Sequence, residues 1–343
     1  MKSKYLLLAD GSSPHVLKWI KELVKYFDVH IISLNGLDIE IYKYIDKSKI
    51  FVLNEGVTST GGNHKLIFKI FKIRKLIREI NTHYLNAHFL SSYGVLAALS
   101  KSVNSKMVLI QSTWGTDVLV SPFRNIFRKK IAQYALNKAD YITSDSLHMS
   151  DVIMNLIDKK EILTFSFGFD DLKKNNVKKE KIIFSNRGLK SFYNIDKILR
   201  WFATQSSEYK LVIANDGVER LILEALSKEL SIGERVVFVG FLNEKEMKKY
   251  YKKSQYFISI PNSDGTAVSL LEAMMYGCIP IVSNIPANRE WILDLVNGVY
   301  FDETLAIENI IIEEDFDKIN FKILQRKALF SKSIESFVTK VSK

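Results

Sequence analysis

The chain has 343 residues, more than one hydrophobic core comfortably takes and enough for two domains. Apolar residues make up 47%, which excludes a disordered chain, and the single cysteine, Cys278, excludes an internal disulfide framework and fits a reducing compartment. The net charge of +11 is uneven: residues 1–170 carry 23 Lys and Arg against 15 Asp and Glu, the rest 26 against 23, so an anionic partner is expected on the N-terminal half.

In chain order, "KYLLLAD" (4–10) predicts a buried strand. "SPHVLKWIKELVKYF" follows with helical spacing at Val16, Trp19, Ile20, Leu23 and Phe27. "DVHIISL", "YLNAHF" (84–89), "KMVLIQS" (106–112) and "ADYITSD" (139–145) continue the strands. A Lys-rich polar stretch at 169–181 reads as a linker, after which the pattern restarts with "IIFSNRG", "YKLVIAND", "RVVFVGF", "QYFISIP" and "CIPIVSN". Strand–helix alternation predicts α/β architecture with parallel sheets covered on both faces. Two such domains are expected, 1–168 and 176–324, with a C-terminal helix at about 325–343 packing back on the first. Ligands of doubly wound sheets bind at the carboxyl ends of the strands, here a cleft faced by both domains. The apolar run at the start is too short for a signal peptide, and no run reaches the roughly 18 apolar residues of a membrane span.

The segment "NSDGTAVSLLEAMMYGCIPIVSN" (262–284) places Asp264 and Glu272 eight residues apart around a strand-to-helix junction. Ser263 or Asp264 is the expected N-cap, the helix runs from about Thr266 to Tyr276, and Gly277 stops it. A free helix N-terminus there is an anion site, and a small residue at Gly265 lets a phosphate approach the backbone. Eight helical residues span about 12 Å, and a hydrolytic carboxylate pair needs roughly 5–9.5 Å. The two acids therefore read as hydroxyl acceptors at opposite ends of a long ligand shaped like a nucleotide-sugar. Taken singly, they read rather as an N-cap and a helix-surface glutamate, and it is their context that reverses this.

This stretch resembles the signature of glycosyltransferase family 4, retaining enzymes of the GT-B fold with two Rossmann-like domains. The family's motif is an acid, seven residues, Glu, then Ala-Met and a Gly-x-Pro strand entry; here it reads "DGTAVSLLEAMMYGCIP". Asp264 stands where the family usually has Glu. The resemblance implies donor-binding roles for Gly265, Thr266, Ala267 and Glu272, and for Arg187, which matches the family's phosphate arginine. The family often has Lys-Gly a few residues on; this chain has "KSFYN", so Lys190 is the substitute cation and Tyr193 stands in the lysine's place. Asp216 and Gly217 match a Gly-Asp-Gly turn, and Gly240 and Phe241 the loop that meets the nucleobase. Asn288 and Glu290 are further loop candidates, Glu290 equally a helix-start residue.

In the first domain His88 ends a strand and matches a family histidine near the transferred sugar. Asp117, in the turn with Gly115 and Thr116, is expected to orient His88 or to contact the acceptor. Gly11, Ser12 and Ser13 form a strand-to-helix turn aimed at the diphosphate or the acceptor, and His15 reads as part of the helix start. No paired-His or Asp-x-Asp motif appears, and Arg187, a lysine and helix N-termini suffice for a leaving diphosphate, so no metal or other cofactor is expected.

Two basic helices, 64–80 and 122–136, mix Lys and Arg with Phe, Ile and Leu. They suit either an anionic membrane surface or packing on the sheet with a solvated lysine face. No nucleic-acid recognition module is visible. The expected function is therefore a cytoplasmic retaining hexosyltransferase, soluble or peripheral on the inner face of the plasma membrane. It would transfer a sugar from a nucleoside diphosphate donor to a hydroxyl of a glycan or lipid-linked glycan. The alternatives are an epimerase-like enzyme of the same fold and a non-catalytic nucleotide-sugar-binding partner subunit.

Overall fold

The computed structural model describes residues 2–54, 66, 68–104, 106–158, 161–172 and 177–342. His64, Lys65 and Ile67 of the first basic helix, and the 173–176 part of the linker, lie outside the described residues. Met1–Phe167 with Phe330–Lys343 form one compact unit, and Gly168–Leu329 the other.

The first unit holds seven parallel strands: β1 (Lys4–Leu8), β2 (Asp28–Ser33), β3 (Ile50–Val52), β4 (Tyr84–His88), β5 (Val108–Ser112), β6 (Tyr141–Ser144) and β7 (Ile162–Thr164). Their spatial order is β3-β2-β1-β4-β5-β6-β7. The second unit holds β8 (Glu180–Ser185), β9 (Lys210–Ala214), β10 (Val236–Gly240), β11 (Ser254–Ser259), β12 (Ile279–Val282) and β13 (Val299–Tyr300) in the order β10-β9-β8-β11-β12-β13, again parallel. Both orders reverse direction beside the first strand, as in a Rossmann sheet.

The continuous apolar runs have a simple cause. Successive side chains on a strand face opposite ways, and here both faces are covered, so neither set is polar. In β8, Ile183 joins one core with Leu199, Phe202 and Ile258, while Phe184 joins the other with Tyr251, Leu271 and Met274. Three strands have no counterpart in the sequence reading: β3, β7 and β13. Each is two or three residues long and lies at a sheet edge, where pairing on one side suffices and little apolar surface is buried.

The C-terminal stretch is two helices rather than one, Phe316–Lys327 in the second unit and Phe330–Val341 in the first. At the break the Ala328 carbonyl accepts the Phe169 N–H at 2.7 Å, and a Cβ on Gly168 would lie 1.9 Å from that oxygen, so only glycine fits there. Helix Phe330–Val341 packs on helix Pro14–Leu23, where the Trp19 ring meets Phe330 and Phe337 at 5.8 and 5.4 Å.

Candidate functional site

Each sheet opens at its switch point, between β1 and β4 in the first unit and between β8 and β11 in the second. Such a point leaves the loops on either side diverging, with free space above the strand ends. Gly11, Ser12, Ser13 and His88 stand at the ends of β1 and β4, and Arg187 and Asp264 follow β8 and β11. Asp117, Asp216 and Gly240 stand further out, at the ends of β5, β9 and β10.

In the second unit Arg187 follows β8 and Asp264 follows β11. Their side chains meet: Arg187 Nη2 donates to Asp264 Oδ2 at 2.7 Å, and Nη1 donates to the Ser269 hydroxyl at 3.1 Å. The guanidinium lies 4.5 Å from the Tyr193 ring centre, so Tyr193 fixes its plane from one side. Burial pushes the Asp264 carboxyl above the usual carboxylate range, and Arg187 and the Gly265 N–H oppose that rise. The sequence reading gave these two residues separate ligand groups; in the folded chain they are one ion pair. The expected caps are corrected as well. Ala267 occupies the N-cap position, no side chain caps the helix, and the helix is Val268–Met275. Asp264 is drawn to the guanidinium because a charged partner outweighs a neutral amide. Gly277 stops the helix as expected, with φ +69°.

Glu272 lies in the second turn and hydrogen-bonds with the buried Tyr251. The Tyr251 hydroxyl also receives the Asn186 amide N–H at 2.9 Å and lies 3.2 Å from the Ser269 carbonyl. Sequence reasoning missed Tyr251 and Asn186. Tyr251 sits in "KKYYKK", which reads as a solvated lysine helix, and only the fold turns that ring inward. Lys190 is exposed, and its ammonium has no ion-pair partner among the described residues. Thr266 is buried, with its hydroxyl 3.4 Å from the Trp291 Nε1.

The turn after β9 packs against the Arg187 loop, and the end of β10 packs on that turn, the Gly240 carbonyl accepting the Asn215 N–H at 2.6 Å. Leu189 donates to the Asp216 carbonyl, and its own carbonyl receives the Glu219 N–H. Asp216 is not free: its carboxylate accepts the Gly217 N–H and meets Arg220 at 3.2 Å. Gly240 has φ +71°, and Phe241 beside it is fully displayed to solvent at 81% exposure. Asn288 is buried and its amide closes back on the Ser283 carbonyl at 2.9 Å, a loop-bracing role rather than an open contact.

In the first unit His88 ends β4. Its ring is buried between Trp19 and Trp114, at 5.0 and 5.3 Å, and neither ring nitrogen has a hydrogen-bond partner. Burial, with a smaller contribution from His15, pushes its pKa down to about 3, so the imidazole is neutral. The next residue, Phe89, has φ +75°, a strained conformation for a non-glycine. Asp117 does not bond His88. Its buried carboxylate instead accepts the Leu90 N–H at 2.7 Å and the Trp114 N–H at 3.0 Å. It thereby ties together the turns that follow β4 and β5, with one oxygen on each backbone N–H.

The Gly11–Ser13 turn is likewise self-contained. Gly11 N–H goes to the Ser33 hydroxyl, Ser12 N–H to the Asp10 carboxylate and Ser13 N–H to the Asp10 carbonyl. The Ser12 hydroxyl also donates to the Asp10 carboxylate, at 2.6 Å, so these amides and that hydroxyl are taken and the turn is not a ready amide nest. His15 belongs to helix Pro14–Leu23, with its ring against Trp114 and Phe167.

Residues 4–146 match the family model "Glycosyl transferase 4-like", and residues 169–313 match "Glycosyl transferases group 1". The chain belongs to the GT4-type group 1 glycosyltransferases. A Campylobacter jejuni relative is 25% identical over 296 residues, 82% of this chain and 79% of its own. It is an N-acetylgalactosamine-N,N'-diacetylbacillosaminyl-diphospho-undecaprenol 4-alpha-N-acetylgalactosaminyltransferase. Among solved structures, the apo lipopolysaccharide outer core galactosyltransferase WaaB superposes with TM-score 0.73 at 16% identity, covering 98% of this chain and 99% of its own. Anabaena HepE in complex with UDP gives 0.70 at 14% identity, covering 98% and 95%. The fold is GT-B.

One loop contact in this glycosyltransferase allows a direct test. A Cβ on Gly217 would fall 2.2 Å from the Leu189 carbonyl oxygen. Gly217→Ala must therefore push the Arg187 loop aside, and is expected to lower stability by about 1–3 kcal/mol, read by urea unfolding. A wild-type midpoint would mean that the two turns are not locked together.

Proposed function

We propose that this glycosyltransferase moves a sugar from a nucleoside diphosphate donor to a hydroxyl of a glycan or lipid-linked glycan, retaining the anomeric configuration. The observation that carries the reading is the Arg187–Asp264 pair at the switch point of the second unit, with Ser269 and Glu272 on the helix behind it. A cation fixed by Tyr193 suits a diphosphate. The adjoining carboxylate suits sugar hydroxyls, and Glu272, eight residues further on, suits ribose hydroxyls. The Campylobacter relative, named for a diphospho-undecaprenol acceptor, and the UDP bound to HepE support these substrate classes.

In the reaction the bond from the anomeric carbon to the diphosphate oxygen breaks, and a bond to the acceptor oxygen forms on the same face. The acceptor's proton passes to the departing diphosphate. Arg187 and Lys190 take up the charge that accumulates on the leaving group, so the proposal calls for no metal ion. His88 offers a neutral imidazole to a substrate hydroxyl. A nucleotide-sugar donor and a lone, buried, reduced thiol at Cys278 fit action in the cytoplasm.

The test is transfer from a panel of nucleoside diphosphate sugars in the presence of EDTA, with the product anomer read by NMR. Retention in chelator supports the reading; inversion, or loss of transfer on chelation, overturns it. Calorimetry isolates the ribose assignment. Glu272→Ala is expected to weaken binding of the free nucleoside diphosphate by about 1.5–3 kcal/mol. Unchanged affinity would make Glu272 a partner of Tyr251 and nothing more.

A further inference from the structure

We propose that the first unit docks on an anionic lipid surface through the outer face of helix Ile126–Lys138 and the turn before it. The sequence left this segment open between lipid binding and packing on the sheet, and the burial pattern favours the first. The helix buries only Ala132, Ala135 and Leu136. Its large apolar residues point the other way: Phe123, Ile126, Phe127, Ile131 and Tyr134 are all exposed, Phe127 by 76%. Phe127, Ile131 and Tyr134 follow a spacing of four and three, which makes one stripe along the helix, and Phe123 lies in the turn before it.

Cations accompany these residues: Arg124, Lys130 and Lys138 are exposed, and Arg128 and Lys129 are half-buried at the flanks of the helix. Residues 121–138 contain Arg124, Arg128, Lys129, Lys130 and Lys138 and no acid. Arg124, Arg128, Lys129 and Lys130 have no ion-pair partner among the described residues. A neighbouring helix repeats the composition. Ile70–Ile80 shares the layer through Val95–Ser100, which contacts both, and it shows an exposed Phe71 beside Lys72 and Lys75. An interleaved apolar and cationic surface fits hydrocarbon and negative headgroups together, which a bilayer presents in one plane. A second copy of the chain would set cation against cation. The inference rests on the surface of the first unit and is independent of the donor reading.

The experiment is co-sedimentation of the full chain with phosphatidylcholine vesicles, with and without about one-third phosphatidylglycerol. Binding to the anionic vesicles is expected to exceed that to neutral ones at least tenfold, and to weaken as salt rises. The double variant Phe123→Glu/Phe127→Glu, folded by circular dichroism, is expected to lose binding, and Lys129→Gln/Lys130→Gln to reduce it. Asp264→Asn is expected to bind vesicles like the wild type, which separates this result from any failure of the catalytic reading. Equal binding to both vesicles overturns the proposal, as does undiminished binding by the phenylalanine variant. So does a change in oligomeric size of that variant, by light scattering, with vesicle binding intact, because the face would then be a protein interface.

Discussion

Asp264→Asn is expected to lower the rate of sugar transfer by about a hundredfold or more while leaving affinity for the free nucleoside diphosphate unchanged or higher. The two halves of that expectation come from one ion pair. Asp264 holds Arg187 at 2.7 Å, so a diphosphate arriving at Arg187 competes with the carboxylate already there. Removing the charge frees the guanidinium, which keeps its bond to Ser269 and its place on Tyr193. The free nucleoside diphosphate lacks the transferred sugar and loses no contact with Asp264. On the proposed assignment the transferred sugar loses the acid that orients its ring, and orientation matters most in the transition state. The fold should survive, because Ala267 rather than Asp264 takes the N-cap position. Unfolding free energy is expected to drop by about 1–3 kcal/mol from the broken pair. Asp264→Glu is expected to stay active or to change sugar preference. Steady-state transfer and calorimetry on both variants decide the matter: wild-type turnover in Asp264→Asn would reduce the pair to a loop brace.

His88→Phe is expected to separate stability from activity. Both imidazole nitrogens are buried without partners, an arrangement that costs stability in the free protein and is relieved when a ligand hydroxyl meets them. An apolar ring among Trp19 and Trp114 removes that cost and also removes the contact. Turnover should fall by about a hundredfold, with stability at pH 7 held to within about 1 kcal/mol. His88→Asn, which keeps an amide donor, is expected to retain part of the activity.

The pH dependence gives a second readout. Folded His88 stays neutral down to about pH 3, whereas the unfolded chain takes up its proton near 6.5. His15 behaves alike, with its pKa pushed down to about 4 by burial first and Lys18 second. The unfolded state therefore binds more protons below pH 6.5. The stability these groups confer is complete above 6.5 and is lost as pH falls toward their folded values. Between pH 7 and 5 the His88 contribution is about 2 kcal/mol. Thermal unfolding of the wild type should thus shift down over that range, and His88→Phe should shift less. Identical pH slopes in the two proteins would show that the imidazole is not held neutral, and the hydroxyl contact would fall with it.

Much of this protein was determined by the sequence by itself. Continuous apolar runs such as "KYLLL" and "KIIFS" define strands that need cover on both faces, and their alternation with helical spacing defines parallel sheets. The signature from Asp264 to Pro280 marks the family, and Gly277 ends its helix because only a residue at ease with positive φ closes that turn. These features are local, so a short window of residues carries them.

The tertiary structure alone decided what pairs with what. Arg187 and Asp264 are 77 positions apart and meet because β8 and β11 are neighbours at the switch point. Asp117 reaches Leu90 rather than His88, because two strand-end turns bring amides to it that no spacing reveals. Tyr251 is buried within a lysine-rich helix, and Phe127 is exposed on an apolar-looking one; which side of a helix meets the sheet is set by packing. The edge strands β3, β7 and β13 escape detection for the converse reason. Their backbone bonds come from a neighbouring strand, and their few side chains bury too little to leave a pattern.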